Sequence, residues 1–155
     1  MFRSAELGHT ISKAQWDEEV PALRKALLEA QDALRAQKRF PVVILIGGVD
    51  GAGKGESVNL LNAWMDPRYI QTRAFGEPSD EERERPPMWR FWRALPPKGH
   101  VGILFGSWYT APIIDRVAKA NRKVDFERSL EAIVRFERML ADEGALVLKL
   151  WFHLS

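Results

Sequence analysis

The sequence predicts an α/β fold, a mainly parallel sheet with helices on both faces. Two observations carry this. Apolar runs of strand type at 42–47, 69–75, 101–105 and 145–154 alternate with helical patterns, the arrangement that makes parallel βαβ units. The first run also empties into a glycine-rich turn, Gly48-Val49-Asp50-Gly51-Ala52-Gly53-Lys54-Gly55, and a helical pattern follows at once.

The elements can be justified in order. Residues 13–37 read as a helix, because Val20, Leu23, Leu27, Leu28 and Leu34 recur at helical spacing with charged residues on the other faces. Pro21 is read as falling in the first turns, where a missing N–H is tolerated. Phe40-Pro41 ends this segment and introduces strand 42–47, and helix 54–65 stops at Asp66-Pro67. Strand 69–75 leads into a polar run, 76–85, that reads as a solvated connector. A short helix is expected at 88–95 between two Pro-Pro pairs, and strand 101–105 follows. A short helix at 112–120 precedes a longer one at 125–142, whose apolar side carries Phe126, Leu130, Ile133, Val134, Phe136 and Leu140. Gly144 caps it before strand 145–154.

Residues 1–40 are therefore expected to form a helical segment packing on a core built from 41–155. There are no repeats and no linker. The chain stops directly after an apolar strand, so the expectation is a sheet truncated at its C-terminal side, with an open edge that favours pairing with another chain or domain.

Composition excludes more than it proposes. With 155 residues the length suits one domain with a real core. Hydrophobic residues at 46% and charged residues at 28% are ordinary for a globular chain, and a net charge of +2 gives no footprint for nucleic acid. The absence of cysteine excludes disulfides, thiolate metal sites and cysteine nucleophiles. No leader and no apolar run of membrane-spanning length is visible, so a cytoplasmic location and no membrane partner are expected.

The turn at 48–55 has the layout of a P-loop: Gly48, four residues, then Gly53 and Lys54. Gly48, Gly51, Gly53 and Gly55 allow successive N–H groups to point at phosphate oxygens, and the helix N-terminus adds positive dipole. Lys54 supplies a mobile cation for phosphoryl transfer, which depends mainly on positioning and electrostatics. Gly55 stands where the common motif has a Ser or Thr that reaches magnesium. Asp50 would repel phosphate unless it holds a metal ion or accepts a proton; the bland alternative is a solvated turn aspartate.

Other positions are less specific. P-loop enzymes generally end the partner strand in an acid that holds magnesium, but strand 101–105 runs into Gly106-Ser107-Trp108-Tyr109 with no acid before Asp115. The segment Trp89-Arg90-Phe91-Trp92-Arg93 interleaves arginines with aromatics. Trp89 and Trp92 are expected on the core, with Arg90 and Arg93 left to face phosphates. His100 and His153 have no metal-ligand spacing and read as structural.

Taken together, these segments resemble the polyphosphate kinase 2 family, most closely its polyphosphate:AMP phosphotransferases. The resemblance covers 10–155 and runs through the loop at 48–55, the segment Pro-Pro-Met-Trp-Arg-Phe-Trp-Arg-Ala-Leu-Pro-Pro-Lys-Gly at 86–99, Ser-Trp-Tyr at 107–109, Asp115-Arg116, Phe-Glu-Arg-Met-Leu at 136–140 and the strand at 149–155. It implies a three-layer α/β/α P-loop kinase fold and phosphoryl transfer between inorganic polyphosphate and a nucleotide such as AMP or ADP, with Mg2+. On that resemblance Asp50 would bind metal or activate the acceptor, Lys54 would hold the transferring phosphate, and Arg90 would contact phosphate.

The chain also departs from the family. Phe105 and Gly106 occupy the positions where the family has an acid or amide followed by arginine, and Thr110-Ala111-Pro112 stands where the family tends to be charged. Some members fuse two such domains, one of them degenerate, and this chain resembles the N-terminal, degenerate one. The expected function is thus a polyphosphate-dependent nucleotide phosphotransferase, impaired in this segment. The alternatives are a non-catalytic binding or structural domain of a tandem enzyme and an ATP-dependent small-molecule kinase.

Overall fold

A central strand, β1 (Val42–Gly48), organises the molecule. The structure, a computed structural model, describes residues 8 and 10–154. Beside β1 lie β2 (Ile70–Ala74), β3 (Val101–Phe105) and β4 (Leu146–Phe152), in the order β2-β3-β1-β4 and parallel throughout. Val42 pairs with Val101 on one side and Leu146 on the other, so the three strands run in register toward the loop that follows β1. The pleat of β1 then divides the core in two.

On one face Val43 and Leu45 join Leu104, Phe91 and Trp108, together with Ile133, Phe136 and Leu140 from α6 (Lys123–Asp142). On the other, Ile44 and Ile46 join Ile70, Val101 and Ile103, together with Val58 and nearby Met65 from α2 (Lys54–Trp64) and Leu27 and Leu34 from α1 (Lys13–Gln37). The result is the three-layer α/β/α arrangement the pattern implied.

Local chemistry explains the element ends. The Ser12 side chain accepts a hydrogen bond from Gln15 N–H and starts α1, and Lys38 closes it in the left-handed region. Pro21 lies well inside α1 rather than at its start, and the helix continues through it. On the buried face of α1 the unexpected residue is Gln31, 4% exposed. Its amide donates to the Asp66 carbonyl at 3.0 Å and accepts from Asp66 N–H at 2.7 Å, tying α1 to the turn after α2. Of the expected 1–40 segment, residues 1–7 and 9 lie outside the described residues.

Three expectations need correction. The run at 76–85 is not all connector: α3 (Asp80–Arg83) forms there, capped by reciprocal bonds between Ser79 and Glu82. The expected helix at 88–95 is a single turn, α4 (Trp89–Trp92), and its buried residue is Phe91; Trp92 is 49% exposed and meets the core only edge-on against Phe136. The helix expected at 112–120 begins earlier, as α5 (Thr110–Val117). Residue 108 turns its aromatic ring inward instead: Trp108 is buried, edge-on to Phe91 and Phe136.

At the edge of the sheet, among the described residues, β4 pairs with β1 alone, and its Leu146, Leu148 and Leu150 stand well exposed. Among the described residues no helix is long and apolar enough to cross a membrane.

Candidate functional site

The turn after β1 sits at the C-terminal ends of the parallel strands, where open α/β sheets bind their ligands. Gly48 has φ 131 and Val49 donates its N–H to the Phe152 carbonyl at 3.0 Å, so β4 holds the start of the loop. Gly51 and Gly53 also have positive φ, and Gly53 caps α2 without a side-chain hydrogen bond. The first N–H groups of α2 are therefore available to a ligand.

Lys54 arches back over this loop. Its Nζ donates to the Gly48 carbonyl at 2.6 Å and to Asp50 Oδ1 at 3.0 Å. The lysine side chain is mostly buried whereas that of Asp50 is fully exposed, so the ion pair faces water and is worth about 1 kcal/mol or less. An incoming phosphate can displace Asp50 from the ammonium at small cost.

These residues open on a cavity of about 640 Å3, lined by Gly48, Asp50 and Lys54 from the loop, Tyr109 and Ile113 on the side of α5, and Lys149 and Trp151 from β4. Of the residues expected in the site, Gly48, Asp50 and Lys54 meet at this cavity; Gly51, Gly53 and Gly55 shape the turn without lining it. Among the described residues no group of three or more carboxylates and imidazoles could hold a metal ion. Magnesium commonly uses one or two carboxylates plus substrate phosphates, and Asp50, paired with Lys54 but exposed, is the carboxylate the loop offers it. When bound, the ion would neutralise charge on phosphate oxygens.

The far wall carries a polar network that the sequence reading missed. Glu137 Oε1 accepts from Trp108 Nε1 at 3.0 Å and from the Tyr109 hydroxyl at 2.8 Å. Lys149 Nζ donates to Glu137 Oε2 at 2.5 Å and to the Tyr109 hydroxyl oxygen at 2.8 Å. Burial pushes the Tyr109 pKa up, helped by Glu137 and opposed by Lys149. Partial burial works against the Lys149 ammonium, but its bonds to Glu137 and Tyr109 outweigh that and hold its pKa above the ordinary value. The three residues come from α6, β4 and the turn after β3, 28 and 40 positions apart in the pairs that meet Tyr109. The one sequence signal was Lys149, the single charged residue in the apolar run of β4; Glu137 is one of many charged residues on α6.

At the end of β3, Phe105 accepts from Phe75 N–H at 2.9 Å and Gly106 donates to the Ile46 carbonyl at 3.2 Å. Gly106 has φ 79, and a Cβ there would lie 2.9 Å from the Phe75 carbonyl oxygen. The strand end is thus built around the absence of a side chain.

Arg90 lies elsewhere. It lines a second cavity of about 540 Å3 that adjoins the first through Ser107 and also holds Arg83, Arg85, Arg128, Asp115 and Asp125. Its guanidinium pairs with Glu82 at 3.3 Å, donates to the Gly76 carbonyl at 3.0 Å and rests over Phe75. Arg90 Nε and Asn121 Oδ1, both on this cavity, are buried without a protein hydrogen-bond partner.

A parallel three-layer sheet whose first strand ends in a lysine-bearing glycine loop, with that lysine lining a cavity at the strand ends, defines a P-loop domain. More particularly, the chain belongs to the polyphosphate kinase 2 family, whose model matches residues 10–155. It is 58% identical over its whole length to a polyphosphate:AMP phosphotransferase of Pseudomonas aeruginosa, of which it covers 31%. A solved structure from Pseudomonas aeruginosa PA01 matches all of the chain with a TM-score of 0.96 at 58% identity, the match covering 33% of that structure's chain. Polyphosphate kinase 2 from Arthrobacter aurescens TC1 matches 96% of it with a TM-score of 0.89 at 31% identity, over 54% of its own chain. The chain therefore spans about a third of the length of the curated relatives it matches first.

Proposed function

We propose that the protein to which this chain belongs transfers phosphoryl groups between inorganic polyphosphate and a nucleoside mono- or diphosphate in the cytoplasm, with Mg2+ at Asp50. In this reading the terminal phosphorus breaks its bond to the bridging oxygen of the chain and forms one to a nucleotide phosphate oxygen. Lys54 stays on the oxygens of the transferring group, and the unpaired N–H groups at the start of α2 hold the donor. Arg90 contacts the nucleotide phosphate in the adjoining cavity, a role supported by its buried Nε, which has no protein hydrogen-bond partner.

The observation that carries the reading is the Lys54 ammonium poised over Gly48 at the mouth of the cavity. Gly106 supports a narrower statement: this segment is the N-terminal, degenerate domain of a tandem enzyme, binding polyphosphate without turning it over. With φ 79 and the Phe75 carbonyl against it, the end of β3 has no room for the family's arginine. The exposed leucines of β4 are where a second homologous domain or a second copy would pair.

Incubating the chain with polyphosphate, AMP and magnesium tests this. The expected result is polyphosphate binding that Lys54→Ala abolishes, with no ADP formed. Robust ADP production would overturn the impairment, and no binding of polyphosphate would overturn the whole reading.

A further inference from the structure

We propose that Lys149 is a second anion-binding cation of the loop cavity, presented there by Glu137, so that the cavity takes a chain of linked phosphates rather than a single one. The inference deepens the reading of the loop as a polyphosphate site and rests on it.

Three observations carry it. Lys54 and Lys149 line the same cavity, whose volume of about 640 Å3 exceeds by far what one phosphate fills. Cavities of roughly 300–1,000 Å3 take whole drug-sized ligands. Their anchor points also differ: Lys54 is held at Gly48, which pairs with Phe152, whereas Lys149 stands three residues earlier on β4, level with Leu45. At the usual strand rise the two backbone positions are about 10 Å apart along the sheet, so the two cations are anchored at different levels of the cavity.

The third observation is how the ammonium is presented. Lys149 Nζ uses two of its three N–H groups, on Glu137 and on the Tyr109 hydroxyl, and keeps one for a ligand. Glu137 is 17% exposed and sits behind the lysine, with its charge shared among Trp108, Tyr109 and Lys149. The cation thus fronts the cavity and its counter-charge is set back. Glu137 acts through Lys149 and is a positioning residue.

The experiment compares binding of short-chain inorganic polyphosphate and of orthophosphate, without metal, to the unaltered chain and to Lys149→Met, Lys149→Arg and Glu137→Gln, with thermal melting as the check on folding. Lys149→Met should weaken polyphosphate binding roughly tenfold, the worth of one charge-assisted contact. It should also flatten the salt dependence of binding, because fewer ions are released, and leave orthophosphate unaffected. Lys149→Arg should restore both the affinity and the salt slope. Glu137→Gln should alter polyphosphate binding in the unaltered background and do nothing once Lys149 is Met.

Polyphosphate binding that survives Lys149→Met overturns this inference alone. So does a parallel loss of orthophosphate and polyphosphate, which would mean a collapsed cavity rather than a lost contact. An unaltered chain that binds no polyphosphate overturns the loop reading along with it.

Discussion

Gly48 and Phe152 meet backbone to backbone: a Cβ on Gly48 would lie 2.0 Å from the Phe152 carbonyl oxygen and 2.6 Å from its nitrogen. The two are partners in the β1–β4 ladder, and the Phe152 carbonyl also accepts the N–H of Val49. The start of the glycine loop is therefore clamped by the last strand of the sheet, and packing alone requires the glycine.

Gly48→Ala should accordingly destabilise the fold by about 3 kcal/mol or more, because the obstruction is backbone and φ is 131. Denaturant unfolding followed by tryptophan fluorescence measures this. A loss below about 1 kcal/mol would mean that the β4 end yields easily.

Gly106→Ala meets a softer obstacle, the Phe75 carbonyl oxygen at 2.9 Å with φ 79. A loss of about 1–3 kcal/mol is expected in the same assay. Installing arginine at this position alone should not produce turnover, because the strand end would have to shift to accept it. Appearance of ADP in a Gly106→Arg variant would contradict that.

Stability should fall on the alkaline side. Tyr109 and Lys149 both have folded pKa values raised above their ordinary 10.0 and 10.5. The folded chain holds these protons more tightly than the unfolded chain does. Their contribution is complete below about pH 10 and is lost as pH rises through the folded values. Melting temperatures taken from about pH 9 to about pH 11 should drop, and drop less steeply in Glu137→Gln. Equal slopes for the two proteins would remove Glu137 from the effect.

Gln31→Leu should cost about 1–3 kcal/mol even though leucine suits a helix interior, because it strands the part-buried N–H of Asp66, whose carbonyl keeps the Tyr69 N–H. A neutral or stabilised variant in thermal melting would show that water reaches the Asp66 N–H.

How much of this was legible in the sequence depended on how local the cause was. Strand 101–105 and helix 13–37 were readable to the residue, because an apolar run between turn residues and a repeat along one helix face are properties of neighbours in the chain. The loop was readable for the same reason: its glycines, lysine and flanking elements are contiguous. The capping pair Ser79 and Glu82 was equally local and was passed over inside a charged run. Between Phe91 and Trp92, spacing alone could not say which ring would turn inward, since a one-turn helix has no periodicity to read.

By itself, then, the sequence determined a parallel α/β sheet, a glycine-rich P-loop at 48–55 carrying Lys54, and a β3 end without an acid. Only the tertiary structure decided that Lys54 folds back onto Gly48 and Asp50, that Arg90 belongs to a neighbouring cavity, and that Glu137 joins Trp108, Tyr109 and Lys149 on the far wall. The reason is physical. A loop conformation is set by residues next to one another, whereas a charge network is assembled where α6, β4 and the turn after β3 converge, and no pattern along the chain encodes their meeting.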